Sequence, residues 1–242
     1  MPRRESVKAT VKVTLTGPDG KVLKVIEGEN PDPFGYDYGS FLLANVNGPL
    51  SQITLYDPFG NPYDFDFVTP SPSTSMGYLL NGFCFANCPN AGSTPPNGPG
   101  IWLFNGVPFS GPIDSWIAYT GWGLSSPQFI SGLSYSPLES FTNVNTDYTT
   151  PSSPGDVIYY FAYVTQSITN TLSSPVNVYT IMLVGAVYGS RSVSPVYIPI
   201  TFYVFSPPIV FSPGVTMTVT VTISLPIGIA IGPASGFGVL AL

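Results

Sequence analysis

Two carboxylates, Asp64 and Asp66, stand two apart in the segment YDFDF and would share one face of a strand. Two acids so placed could do the chemistry of glycoside hydrolysis, or, with Asp57, Asp114 and Asp147 from turn-rich stretches, hold calcium. Calcium loops space their oxygen ligands more densely than this. The simpler reading is a set of exposed acids facing water. The chain has no histidine, and imidazole is both the commonest general base near neutral pH and the commonest transition-metal ligand. Ser–His and Cys–His nucleophile pairs are therefore excluded, and with them most hydrolytic mechanisms. The chain is expected not to be an enzyme, and to need no cofactor and no small-molecule substrate.

Cys84 and Cys88 form a lone C-x3-C in FCFANC. Tetrahedral zinc takes four ligands, and half of them are missing here. The pair reads either as a local disulfide pinning residues 69–99 or as two free buried thiols, because this spacing permits closure without requiring it. Trp102, Trp116 and Trp122, among 15 Tyr and 16 Phe, could form an aromatic surface for sugars or for a partner chain. Plain packing is the stronger reading, since aromatic side chains suit strands and dominate core burial.

Charge is scarce and uneven. Only 8% of residues are charged, against 44% hydrophobic, where about 25% charged is usual. Disorder goes with low hydrophobicity and high net charge, so the 27 prolines and 25 glycines read as loop punctuation in a folded chain. Every basic residue except Arg191 lies at or before Lys24, and beyond Asp156 Arg191 is the sole charge. The last third thus has little electrostatic means of staying soluble alone. A duplex-binding stripe is missing from the main body. Arg3, Arg4, Lys8 and Lys12 could still make a weak contact with nucleic acid or an acidic partner, although such a cluster is usually a solvated face. The first residues lack the apolar run of a secretory signal, and no stretch of about 20 apolar residues escapes interruption by Pro or Gly. Neither export by that route nor a membrane span is expected, and membrane contact by the C-terminal tail is disfavoured.

The elements that would position these residues are strands. Residues 7–16, VKATVKVTLT, put Val7, Ala9, Val11, Val13 and Leu15 on one face and Lys8, Thr10, Lys12 and Thr14 on the other. The turn residues GPDG follow, then KVLKVIE, which together read as a hairpin over 7–27. Residues 40–47 suggest a short helix. Strands are expected at 52–56 and 63–68, joined by DPFGNP, and again at 101–104 and 115–120. Residues 69–99 read as a loop insertion. Four long strands close the chain, at 157–166, 176–188, 196–205 and 215–225, dense in Val, Ile, Thr, Tyr and Phe. In TMTVTVTI the threonines alternate with Met217, Val219, Val221 and Ile223, which places that strand at a sheet surface. Residues 179–187 are apolar on both faces and read as a central strand covered on both sides. No repeat of 20–50 residues is evident, so a solenoid or propeller is not supported. The whole, 1–242, reads as one all-β domain, an antiparallel β-sandwich of jelly-roll type with long Pro/Gly-rich loops.

The last stretch, 225–242 (LPIGIAIGPASGFGVLAL), carries no charge and needs cover. Its own sheet, a neighbouring subunit or lipid could supply it, and glycines at 228, 232, 236 and 238 permit close backbone approach. Docking on a neighbouring subunit is the preferred reading, through Leu225, Ile227, Ile229, Ile231, Phe237, Val239, Leu240 and Leu242.

Taken in order, KATVKVTLTGPDGKVLKVIEGEN, SFLLANVNG, DSWIAYTGWGLSSP and YIPITFYVFSPPIVFSPGVTMTVTVTISL resemble segments of β-sandwich structural proteins of tailed phages and of viruses infecting thermophilic archaea. The resemblance covers residues 1–50 and 113–225, while the 69–99 insertion and the apolar tail depart from it. It implies a virion structural protein, made in the host cytoplasm, that assembles with copies of itself and other virion proteins as shell, vertex or turret, decoration or tail component. It supplies no catalytic residues. A filament or adhesin subunit at the cell surface, joined by strand addition, is the second reading, and a glycan- or receptor-binding module of a spike the third.

Overall fold

A computed structural model of the chain describes residues 8–30, 52–66, 83–84, 94–107, 128–139, 157–187, 195–230 and 239–241. The strands are β1 (Lys8–Thr16), β2 (Val22–Asn30), β3 (Gln52–Tyr56), β4 (Pro62–Asp66), β5 (Phe83–Cys84) and β6 (Gly100–Phe104). They continue as β7 (Ser134–Tyr135), β8 (Val157–Thr169), β9 (Val176–Val187), β10 (Val196–Phe211), β11 (Thr216–Ala230) and β12 (Val239–Ala241). No α-helix occurs among the described residues, and every strand pairing there is antiparallel, so the fold is all-β.

The opening hairpin forms where the period-2 pattern and the GPDG turn place it. Gly20 N–H donates to Gly17 O at 2.9 Å and Gly17 N–H to Lys21 O at 2.8 Å. Gly20 sits at φ 80°, a left-handed conformation that costs glycine little. Past the turn, Thr16 faces Val22 but Leu15 faces Lys24, which leaves Leu23 as an extra residue. Ala9, Val11, Val13 and Leu15 are buried, and Thr10 and Lys12 between them are exposed.

One sheet runs β2-β1-β11-β8-β7, with β12 also on β11. The other centres on β9, which has β10 along one edge and β5 and β6 along the opposite one. Residues 180–187 of β9 are buried without a break, as expected of a strand covered on both faces. One apolar core joins the inner faces of both sheets: Val11, Val13, Val219 and Val221 from the first meet Leu103, Leu183, Ile200 and Phe211 from the second. Each such side chain, fully buried, contributes about 1.5–3 kcal/mol. A second cluster of Trp102, Phe104, Phe129, Met182, Val184 and Phe202 lies with Phe59, from the β3–β4 turn, against it.

A polar side chain stitches the two sheets together. Gln166, on the buried face of β8 between Val164 and Ile168, is 1% exposed. Its Oε1 accepts from Ile101 N–H at 2.7 Å and its Nε2 donates to Ser136 O at 3.0 Å. A Cβ on Gly100, which sits at φ 142°, would lie 2.8 Å from that Oε1.

Two long strands overrun their expected ends at proline. β10 continues through Pro207 and Pro208 because its pairing with β9 jumps from Val204 to Ile209, taking the prolines out of the ladder at a sheet edge where they are tolerated. β11 keeps Pro226 in register with Tyr159 and shifts just after it, leaving Ile227 as the extra residue. The short two-residue β7 was not expected from the sequence. The expected helix at 40–47 and strand at 115–120 lie outside the described residues, as does most of 69–99.

Candidate interaction surface

The outer face of the first sheet is tiled with hydroxyls. Cross-strand register aligns Thr10, Thr222 and Tyr163 in one row, then Lys12, Thr220 and Thr165, then Thr14, Thr218 and Ser167, then Thr16, Thr216 and Thr169. The cause is period-2 alternation in three adjacent strands. Valine, leucine, isoleucine and methionine fill the inward positions, and threonine or serine most of the outward ones. Between β11 and β8 the hydroxyls bond in pairs: Thr165 to Thr220, Ser167 to Thr218 and Thr169 to Thr216, each at 2.9 Å.

Each bonded pair leaves one hydroxyl donor and several acceptor lone pairs facing outward. Threonine methyls fill the space between. Such a face sheds water at less cost than one bearing charges, and charged residues are depleted from the centres of protein interfaces for that reason.

Beside this face lies an edge. β2 has β1 as its only partner among the described residues. Its apolar side chains Val22, Leu23 and Val25 are 61%, 60% and 49% exposed. Lys12 pairs with Glu27 at 2.9 Å and Lys21 with Asp19 at 3.3 Å, so much of the hairpin's charge is balanced locally.

The structure places residues from two of the sequence readings, the aromatic one and the C-terminal tail. Trp102 is no part of an exposed aromatic surface: it is 1% exposed, packed on Phe59, Phe104, Phe129 and Tyr197 with ring centroids 5.6–6.4 Å apart, and its indole N–H donates to Gly98 O at 3.1 Å. Alternation decides this, because Ile101 and Leu103 face one cluster and Trp102 and Phe104 the other. The start of the tail is likewise claimed by the chain itself. Leu225 and Ile229 pair with Tyr160 and Val157 of β8, and residues 228–230 also pair with β12 on the opposite side. Val239 and Leu240, two more of the expected subunit contacts, belong to that β12 pairing. The backbone at 228–230 is thus paired on both sides within its own sheet.

Asp57 is an organiser of its turn. Its carboxylate accepts from Phe59 N–H at 2.9 Å, Asn61 N–H at 2.9 Å and the Asn61 side chain at 2.8 Å. Asp64 and Asp66 lie on β4 opposite Thr54 and Gln52. Cys84 pairs through its backbone with Ala186. Outside the described residues fall Arg3, Arg4, Cys88, Asp114, Trp116, Trp122, Asp147, Ile231, Phe237 and Leu242; the Lys8 and Ile227 side chains are not described. Among the described residues no group of three or more His, Cys, Asp or Glu could hold a metal ion, and no helix is long and apolar enough to cross a membrane.

Sequence reasoning found the threonines of β11 but missed their partners on β8, although the alternation in YVTQSIT carries the same signal. It also missed the exposed apolar edge of β2. No protein-family model, curated protein or solved structure matches the chain.

Proposed function

We propose that this chain is a structural subunit of a virion, a capsid or capsid-surface protein that works by packing against copies of itself and other particle proteins and not by catalysis. The observation that carries this reading is the hydroxyl face of β1, β11 and β8, dry enough to bury and yet too regular to fill a core. Resemblance of the chain's segments to virion proteins of phages and archaeal viruses points the same way, and assembly in a host cytoplasm would suit a chain with so little charge.

Size decides how such a face can work. Six residues of strand and three strand widths make it roughly 20 Å by 15 Å, or about 300 Å², whereas a stable pairwise interface buries about 800 Å² on each partner. One contact through this face is weak. Assembly therefore takes several contacts per subunit, as the lattice of a shell does.

The exposed apolar residues of β2 favour a second reading, a filament or adhesin subunit joined edge to edge. Electron microscopy of the purified full chain separates the two. Closed particles are expected for the virion subunit; open fibres would replace that reading with the second, and dispersed monomers would remove both.

A further inference from the structure

Deepening the assembly reading and resting on it, we infer that β2 pairs with β2 of a second copy, antiparallel about a two-fold axis at Val25, so that the first sheet runs on from one subunit into the next.

An edge strand offers a row of backbone donors and acceptors to any strand that can lie beside it, and proteins normally guard such edges with charge, proline or short length. β2 is nine residues long and contains no proline; it carries charge at Lys24, Glu27 and Glu29, but exposes Val22, Leu23 and Val25 toward its turn end. It is also held firmly from behind: the ring of Tyr203 lies against Gly28 and Ile26 packs on the core. The edge is preformed.

Charge along the edge selects the occupant. Lys21 and Lys24 stand at the turn end of β2 with Asp19 bridged to Lys21, and Glu27 and Glu29 at the far end with Lys12 bridged to Glu27; both ion pairs are more than half exposed, so each end keeps a net charge of its own sign. Antiparallel pairing of two copies lays the basic end of each along the acidic end of the other, while parallel pairing sets like on like. Register is narrowed in the same way. A two-fold axis perpendicular to the sheet must pass through a single residue if both inner faces are to stay on one side. An axis at Lys24 sets two lysines face to face, and one at Glu27 sets two glutamates. An axis at Ile26 puts Val25 against Glu27. At Val25 the two valines meet, Lys24 lies beside Ile26 and Lys21 comes to the level of Glu29, with Leu23 opposite Glu27 and Val22 opposite Gly28. The extra residue at Leu23 shifts the strand beyond it, so the charge match is one of ends and not of fixed pairs.

Two full-length variants test this by light scattering and native mass measurement. K21E/K24E makes the edge wholly acidic and E27K/E29K wholly basic, and each alone should weaken self-pairing roughly tenfold or more, since two symmetric contacts turn repulsive. Mixed one to one, they should recover as heterodimers. Val25→Cys, treated with a short bis-maleimide, should cross-link as a dimer well beyond the parent chain with its native Cys84 and Cys88, while Ser131→Cys, exposed and off both surfaces, should not. Thermal unfolding of each variant checks that the fold is kept. Large oligomers that ignore both charge variants, with Val25→Cys cross-linking no better than the parent, would overturn the β2 pairing and leave the assembly reading standing. A cross-linked dimer that grows no further would uphold the pairing and overturn the larger assembly. Parent chain found only as monomer would overturn both.

Discussion

The Tyr203 ring of β10 occupies the place where Gly28 of β2 would carry a side chain: a Cβ built on Gly28 would overlap the ring. Gly28 faces Val11 across the hairpin, on the inner side, and Tyr203 stacks edge-on with Phe205 at 5.1 Å. Glycine here is a matter of volume, and it lets the edge of one sheet close onto the other. Gly28→Val should lose about 1–3 kcal/mol of stability through overpacking. In a Tyr203→Ala background the same change should cost much less, a coupling that denaturant unfolding of the four-protein cycle would read.

Gln166 gives the second expectation. Gln166→Leu keeps the bulk and removes the partners of Ile101 N–H and Ser136 O, which should cost about 1–3 kcal/mol for the groups left unsatisfied. Hydrogen exchange at the Ile101 amide should quicken in step. An unchanged amide would mean that the stitch between the sheets is not what protects it.

Thr201 should respond in the opposite direction. Its hydroxyl is buried with no hydrogen-bond partner among the described residues, and it lines an interstice with Val11, Ile101 and Val221 that has no room for a water molecule. Thr201→Val should raise stability by about 1 kcal/mol, seen as a higher denaturant midpoint at unchanged slope.

Tyr135 makes a pH-dependent counterpart. Burial pushes its phenol well above the ordinary value of 10.0, and its hydroxyl has no hydrogen-bond partner among the described residues. With a folded value above the unfolded one, the native state holds the proton longer. Stability is therefore intact below pH 10 and falls as pH rises through that value toward the folded one. Tyr135→Phe should be neutral or mildly stabilising at pH 7, with an advantage over the parent that grows above pH 10 in parallel urea titrations. A constant difference across that range would show that Tyr135 ionises as readily folded as unfolded.

Alternation made much of the fold legible. The β1–β2 hairpin, the doubly covered β9 and the half-polar β11 follow from which residues recur at every second position, because a strand sends successive side chains to opposite faces. Proline misled at β10 and β11: a bulge carries Pro207 and Pro208 past the ladder, while Pro226 stays in register with Tyr159 and the next residue, Ile227, is the one skipped, an outcome that depends on partner strands distant in sequence. The interaction surface was only half readable. Thr216, Thr218 and Thr220 announce an outward polar face, but their bonding to Thr169, Ser167 and Thr165 depends on a register between strands about 50 residues apart. Trp102 is a further case: its type favours packing over a binding platform, but only the position of the second cluster reveals that both faces of its strand are covered.

Self-association of the purified full chain tests the central claim most directly, by light scattering across a hundredfold dilution for the parent and for a Thr218→Lys/Thr220→Lys variant that puts charge on the hydroxyl face. The parent should form multi-subunit assemblies that persist to low concentration, and the folded variant should shift to small species. A parent that stays monomeric at its highest concentration, or a variant that assembles as well as the parent, would contradict it.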